Sequence, residues 1–162
     1  MTERTLRTFR IYPERSEGRK GYLFATVRVW PTRRAFRKHG KKIDNRTMLH
    51  PRCDGCCTTI SVWKVSGNVR RMTPEFAWID LMYAHTDMNT VVHELQHAAF
   101  AWAVRRRLDP REPVKARIRP GPRVGDRASV EERIAEAIGN MASDFVQAGL
   151  RTGIYRDTVK PG

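Results

Sequence analysis

The stretch TVVHELQHAAFAW (90–102) sets two histidines and a glutamate among residues that are almost all apolar. On a helix His93 and His97 project from the same side, one turn apart, so both imidazoles can reach a single ion. Glu94 lies about 100° round from His93, close enough to address an open position on that ion without ligating it. Val91, Val92, Leu95, Ala98, Ala99, Phe100, Trp102 and Ala103 take up most of the remaining circumference, which predicts a helix buried on nearly all sides. Burying two imidazoles and a carboxylate without partners costs on the order of several kcal/mol. A divalent metal ion would supply the partner.

Thr86 or Asp87 can cap this helix, which is expected to run to about Arg107 and stop before Asp109-Pro110. A second helix is expected from near Ser129 to near Gly149, with Gly149 as a left-handed C-terminal cap. Between them LDPREPVKARIRPGPRVGDRA (108–128) holds four prolines, two glycines and six basic residues, and reads as a mobile, basic surface loop.

The first half reads as strands. RTFRIY (7–12), GYLFATVRVW (21–30), TTISVWKV (58–65) and EFAWIDLMY (75–83) are short apolar and β-branched runs bounded by Gly, Pro and charge. SEGRKG (16–21) is expected as a turn between the first two, and SGN (66–68) separates the last two. Local connections of this kind favour an antiparallel sheet. The expected fold is α+β, one domain over 1–162, with a small antiparallel sheet packed against two or three helices.

Thirty-one Lys and Arg against seventeen Asp and Glu leave a net charge of +14. That favours an acidic partner, nucleic acid or acidic protein. WPTRRAFRKHGKK (30–42) and the segment 105–127 carry the densest positive charge, suited to salt-sensitive, sequence-independent phosphate contacts. Aromatics are sparse in both, so a stacking platform for single strands is not indicated. The opening MTERTLRTFRIYPER has no apolar core of a signal peptide, and no run approaches a membrane span, so a cytoplasmic protein without a membrane partner is expected.

HPRCDGCC (50–57) places three cysteines and a histidine within eight residues. Cys53-x-x-Cys56 around Asp54-Gly55 fits a two-residue hairpin turn and offers half of a structural metal site, with Cys57, His50 and His39 left to complete it. The alternative is a plain hairpin with free thiols.

His93-Glu94-x-x-His97 is the H-E-x-x-H pattern, and here the chain resembles the zincin metallopeptidases. SVEERIAEAIGNMASDF (129–145) resembles the second helix of the glutamate-zincins, in which a downstream Glu completes the metal site. The resemblance covers 87–108 and 129–149 and is closest in style to the short cytosolic and phage-encoded members, among them the ImmA/IrrE and SprT-like groups that act on DNA-associated proteins. It implies a zincin-like fold, a Zn2+ cofactor held by His93, His97 and a glutamate, Glu94 as catalytic base, and a protein or peptide substrate. Glu131, Glu132 and Glu136 compete for the third position. Val130, Ile134, Ile138, Met141 and Phe145 form an apolar stripe for the sheet, and Ala135, Gly139 and Ala142 a small-residue face that would admit another helix. Glu132 lies at the edge of that face and is the expected ligand, although Ser129-x-x-Glu132 also fits a capping box. Glu136, one turn on, is expected to accept a hydrogen bond from a ligand histidine. An all-histidine triad would instead draw on His85, His50 or His39. The oxyanion candidates are Tyr83, His85 and Tyr155. A reading of a different class is a nucleic-acid-binding or host-interaction protein with a structural zinc or an inactive zincin fold, against which the intact Glu94 speaks.

Overall fold

Alternation along β4 (Phe24–Trp30) sets up the sheet: Ala25, Val27 and Val29 are buried on one face, while Thr26, Arg28 and Trp30 belong to the other. The computed structural model describes residues 6–60, 63–67, 69–108 and 130–155. In it β4 lies second in a four-stranded sheet of order β1-β4-β8-β5, whose other members are β1 (Arg7–Ile11), β5 (Gly55–Thr59) and β8 (Glu75–Met82). β1 pairs antiparallel with β4, and β5 antiparallel with β8. β4 and β8 run parallel. The α+β class holds, but the sheet is mixed rather than antiparallel. The central pair is joined by a long crossover, 31–74, and a connection of that length permits parallel pairing where a tight hairpin does not.

The other strands form two small hairpins. β2 (Arg15–Ser16) and β3 (Arg19–Lys20) close through Glu17 and Gly18 with φ of 50° and 75°, the two successive positive values of a type I′ turn. The single strand expected over 58–65 divides into β5 and β6 (Trp63–Ser66), and β6 pairs with an additional strand, β7 (Val69–Met72). Ser66 and Gly67 therefore belong to a hairpin rather than to a break between the expected strands.

α1 (Arg33–Lys42) was concealed in the basic run 30–42. Thr32 caps it, accepting from the Ala35 N–H at 3.1 Å, and Phe36 and Gly40 form its narrow buried side. With α2 (Arg46–Leu49) it covers part of one sheet face through a minor core of Phe36, Met48, Cys56 and Met82. Asp80 is fully buried on that face, where it accepts from Arg28 Nε and Nη2 at 2.8 and 2.7 Å and from Trp30 Nε1 at 2.7 Å.

α3 (Met88–Arg105) and α4 (Val130–Thr152) cover the opposite face, where the main core gathers Val27, Ile79, Leu81, Leu95, Trp102 and Phe145. Asp87 caps α3, accepting from the Thr90 N–H at 3.1 Å and the Thr90 hydroxyl at 2.9 Å. The two helices run antiparallel. Arg133, near the start of α4, lies over the Trp102 ring near the end of α3, while Tyr155, just past α4, donates to the Thr86 carbonyl before α3.

Met141 and Phe145 of the expected stripe are buried and Val130, Ile134 and Ile138 partly so. The small-residue face admits no second helix among the described residues: Ala135 and Gly139 are exposed, with nothing within 4 Å of a Cβ built on Gly139. Gly149 is not the cap either. α4 continues to Thr152, Gly153 takes the left-handed conformation, and Gly149 is buried where a Cβ would lie 2.5 Å from the Tyr155 ring. No helix among the described residues is long and apolar enough to cross a membrane. The basic loop expected over 108–128 and the Ser129 of the capping box fall outside the described residues, apart from Leu108.

Candidate metal centre

α3 brings its two histidines together as the spacing requires. The Nε2 atoms of His93 and His97 lie 3.2 Å apart, with ring centroids at 4.7 Å and planes at 87°. Two imidazole nitrogens so placed share one proton between them or offer their lone pairs to one cation.

Their setting differs from the expected one. His93, Gln96, His97 and Phe100 form an open stripe on α3, and Phe100 is 49 % exposed, so the helix is not buried on nearly all sides. The imidazoles keep access to water and carry no desolvation debt. The buried polar group is Glu94, at 5 % exposure.

Glu94 faces the edge strand β5. A Cβ on Gly55 would lie 3.1 Å from Glu94 Cγ, 3.2 Å from Glu94 Oε1 and 2.8 Å from Leu81 Cδ2, so any larger residue makes Leu81 and Glu94 shift. The Cys57 main-chain N–H lies close to it. Burial pushes the Glu94 carboxyl up from the ordinary glutamate range, opposed by the neighbouring His93 and His97 and by that N–H.

A hollow of about 550 Å³ opens beside the pair, lined among others by His50, Arg52, Cys53, Asp54, His93 and Glu94. Asp54 accepts from Arg33 Nη2 at 3.0 Å, and His85 Nδ1 stands 3.7 Å from its other oxygen. His85 is thus at the rim and engaged with Asp54. Tyr83 and Tyr155 donate to the carbonyls of Gly153 and Thr86, each at 3.4 Å, which ties the ends of α3 and α4 together. His39 stacks on Trp30 at 4.7 Å, on the far face of the sheet.

The acidic residues of α4 are not brought to the pair. Glu132 is exposed in the first turn of α4, next to Arg133, whose partner Trp102 is five residues and about 7.5 Å along α3 from His97. Glu131 is exposed in the same turn. Glu136 is exposed and lines a second hollow with Trp102, Arg106 and Arg133. Among the described residues no group of three or more His, Cys, Asp and Glu side chains is placed to hold a metal ion.

The cysteine hairpin does not form. Asp54-Gly55 leads into β5, which pairs with β8, and consecutive residues of a strand face opposite ways. Cys56 joins the minor core and receives the Asn45 amide at 3.5 Å, whereas Cys57 packs on the main core. The Cys53 thiol donates to the Gly55 carbonyl at 3.1 Å. Burial pushes the thiols of Cys53 and Cys57 up to about 11 and about 12, and raises that of Cys56. Such thiols stay protonated near neutrality.

Two contributors had not been singled out: Asp54, which holds Arg33 and faces His85, and the Cys57 N–H, which lies close to Glu94. Backbone groups carry no sequence signal, and Asp54-Gly55 was legible only as a turn. Searches against protein-family models, curated proteins and solved structures return no match for this chain.

Proposed function

We propose that the chain is a zinc-dependent metallopeptidase that hydrolyses peptide bonds in nucleic-acid-associated or acidic proteins. The observation that carries the reading is the convergence of the His93 and His97 Nε2 atoms at 3.2 Å beside a buried Glu94. Neutral imidazole nitrogen suits zinc, both rings are open to solvent, and the adjoining hollow has room for a segment of substrate. When bound, the ion supplies a Lewis acid that acidifies a water molecule and polarises a carbonyl.

Glu94 does the proton transfer. Desolvated by burial, its carboxylate is a stronger base than a surface glutamate, able to take a proton from water and return it to the leaving amine. Glu132 is the proposed third ligand, with Glu131 or Glu136 as alternatives. Ligation by any of them requires the first turns of α4 to shift along α3 towards the pair.

The solvent-open histidines, with no third ligand grouped beside them among the described residues, favour one competing reading, a nucleic-acid-binding or host-interaction protein whose zinc is structural or whose zincin-like site is inactive. Metal analysis of the purified chain separates the two in combination with one variant. About one zinc per chain, lost in His93→Ala, supports the site. Glu94→Gln that keeps the zinc but loses chelator-sensitive proteolysis supports the enzyme, and Glu94→Gln indistinguishable from wild type supports the competitor. A chain purified at neutral pH without zinc, and unable to take it up, removes both metal readings.

A further inference from the structure

Helix α1 carries charge in a pattern that stability explains only in its last turn, where Lys41 and Lys42 meet the negative end of the helix dipole. Its solvent side is Arg34, Lys38 and Lys41, flanked by Arg37 and Lys42. Arg33 and Arg34 occupy the first turn, the positive end of the helix dipole, where no acidic residue accompanies them. Arg34 with Lys38, Arg37 with Lys41, and Lys38 with Lys42 are like charges four residues apart, and each pair repels. Arg33 is tied to Asp54, but the other five cations enter no ion pair among the described residues. A solvated face needs charge of either sign. This one holds a single sign, with two arginines at the unfavourable end of the dipole and three repelling pairs within it.

The surface is also continuous with the candidate metal centre. Arg33 Nη1 donates to the Pro51 carbonyl at 2.8 Å and Nη2 to Asp54 at 3.0 Å, which fastens the start of α1 to the wall of the hollow containing His93 and Glu94. Arg52 extends the positive charge along that wall.

We infer that the solvent side of α1 is a docking surface for the phosphate backbone of duplex nucleic acid. A membrane is disfavoured because an interfacial helix needs an apolar face towards the lipid, and the apolar side of α1, Phe36, is buried in the protein. A single strand is disfavoured because no aromatic side chain lies on the exposed side, and Trp30 nearby is stacked on His39. A ten-residue helix is about 15 Å long, enough to follow several phosphates along one groove edge. The contacts are to phosphate, so binding is sequence-independent and falls steeply with salt. The inference deepens the proposed function by saying where a nucleic-acid-bound substrate is held, and rests on that reading only for what the metal centre then does.

The test is fluorescence anisotropy of a labelled DNA duplex of about 20 base pairs, titrated with protein over a series of KCl concentrations. Wild type is expected to bind with an affinity that falls linearly against salt on logarithmic axes. Lys38→Ala/Lys41→Ala is expected to reduce that slope by roughly 1.8, about 0.9 for each lost contact, and to weaken binding at least tenfold at low salt. Arg19→Ala/Arg151→Ala removes the same charge from exposed positions elsewhere and is expected to change binding far less. Circular dichroism confirms that both variants fold. Equal losses in the two variants, no salt-dependent binding by wild type, or equally tight uptake by phosphatidylserine vesicles would each overturn the inference. Binding is expected to survive both Glu94→Gln and a chelator, so failure of the metal reading leaves it standing. Binding lost on chelation overturns it.

Discussion

Gly55 and Glu94 occupy one another's space: a methyl group on the glycine would lie 3.1 Å from the glutamate Cγ and 3.2 Å from its Oε1. A side chain at residue 55 would therefore push Glu94 and Leu81 away from the strand edge. Gly55→Ala is expected to destabilise the fold by about 1–3 kcal/mol, the usual penalty of overpacking, because Leu81 also blocks the methyl group at 2.8 Å. Proteolysis, measured at a temperature where the variant remains folded, should also fall, since the methyl group displaces the Glu94 carboxylate from its place beside β5. A variant as stable and active as wild type would show that the contact is relaxed in solution.

Zinc should stabilise the native chain through the imidazole pair. A ligand that binds only the folded state at a hundred times its dissociation constant adds about 2.7 kcal/mol. Thermal unfolding of the metal-free protein with and without zinc should show a rise in Tm for wild type and none for His93→Ala or His97→Ala. An equal rise in all three would move the zinc elsewhere in the chain.

Asp80 should be among the most sensitive positions. It is fully buried and satisfies both Arg28 and the Trp30 indole, so Asp80→Ala leaves a guanidinium mostly withdrawn from water without its partner. The expected loss is about 3–5 kcal/mol in urea unfolding. Arg28→Met/Asp80→Leu, which removes both charges, should recover much of it. A double variant no better than Asp80→Ala would assign the loss to packing rather than to the unpaired charge.

The three thiols define an alkaline limb of stability. Their pKa values are raised in the fold, to about 11 for Cys53 and about 12 for Cys57, against about 8.5 in an unfolded chain. Their contribution is therefore complete below about pH 8.5 and is lost as pH rises towards the folded values, because the unfolded chain releases these protons first. Denaturant unfolding between pH 8 and 10.5 should show stability falling, less steeply in Cys57→Ala. Reaction with a thiol reagent at pH 8 should be slow until the chain unfolds. Fast labelling of all three cysteines in the native state would contradict the burial described.

Much of the site and of the fold could be read along the chain. The spacing of His93 and His97 places two rings on one side of a helix whatever surrounds it, because the backbone repeat is local. The same is true of the Asp87 cap, of the alternation through β4 and of the helix over 130–152, all set by residues within a turn or two of one another. The helical period of 33–42 was equally present, but Arg and Lys on nearly every exposed position hid a buried side made of Phe36 and Gly40 alone.

Other features depend on neighbours remote in sequence, and only the tertiary structure decided them. Whether β4 and β8 run parallel depends on the path of 31–74, not on either strand. Whether the imidazoles are buried depends on which side of α3 meets the sheet. The sheet takes Val91, Glu94, Leu95 and Ala98 and leaves His93 and His97 to water. The small residues at 135 and 139 permit a close helix but do not supply one. The antiparallel packing of α4 on α3 then sets Glu132 beside the far end of the helix that carries the histidines. Sequence determines which chemical groups one element can present. Which groups from different elements meet is settled by the packing of apolar faces, whose free energy is non-directional and does not single out the polar residues that ride on them.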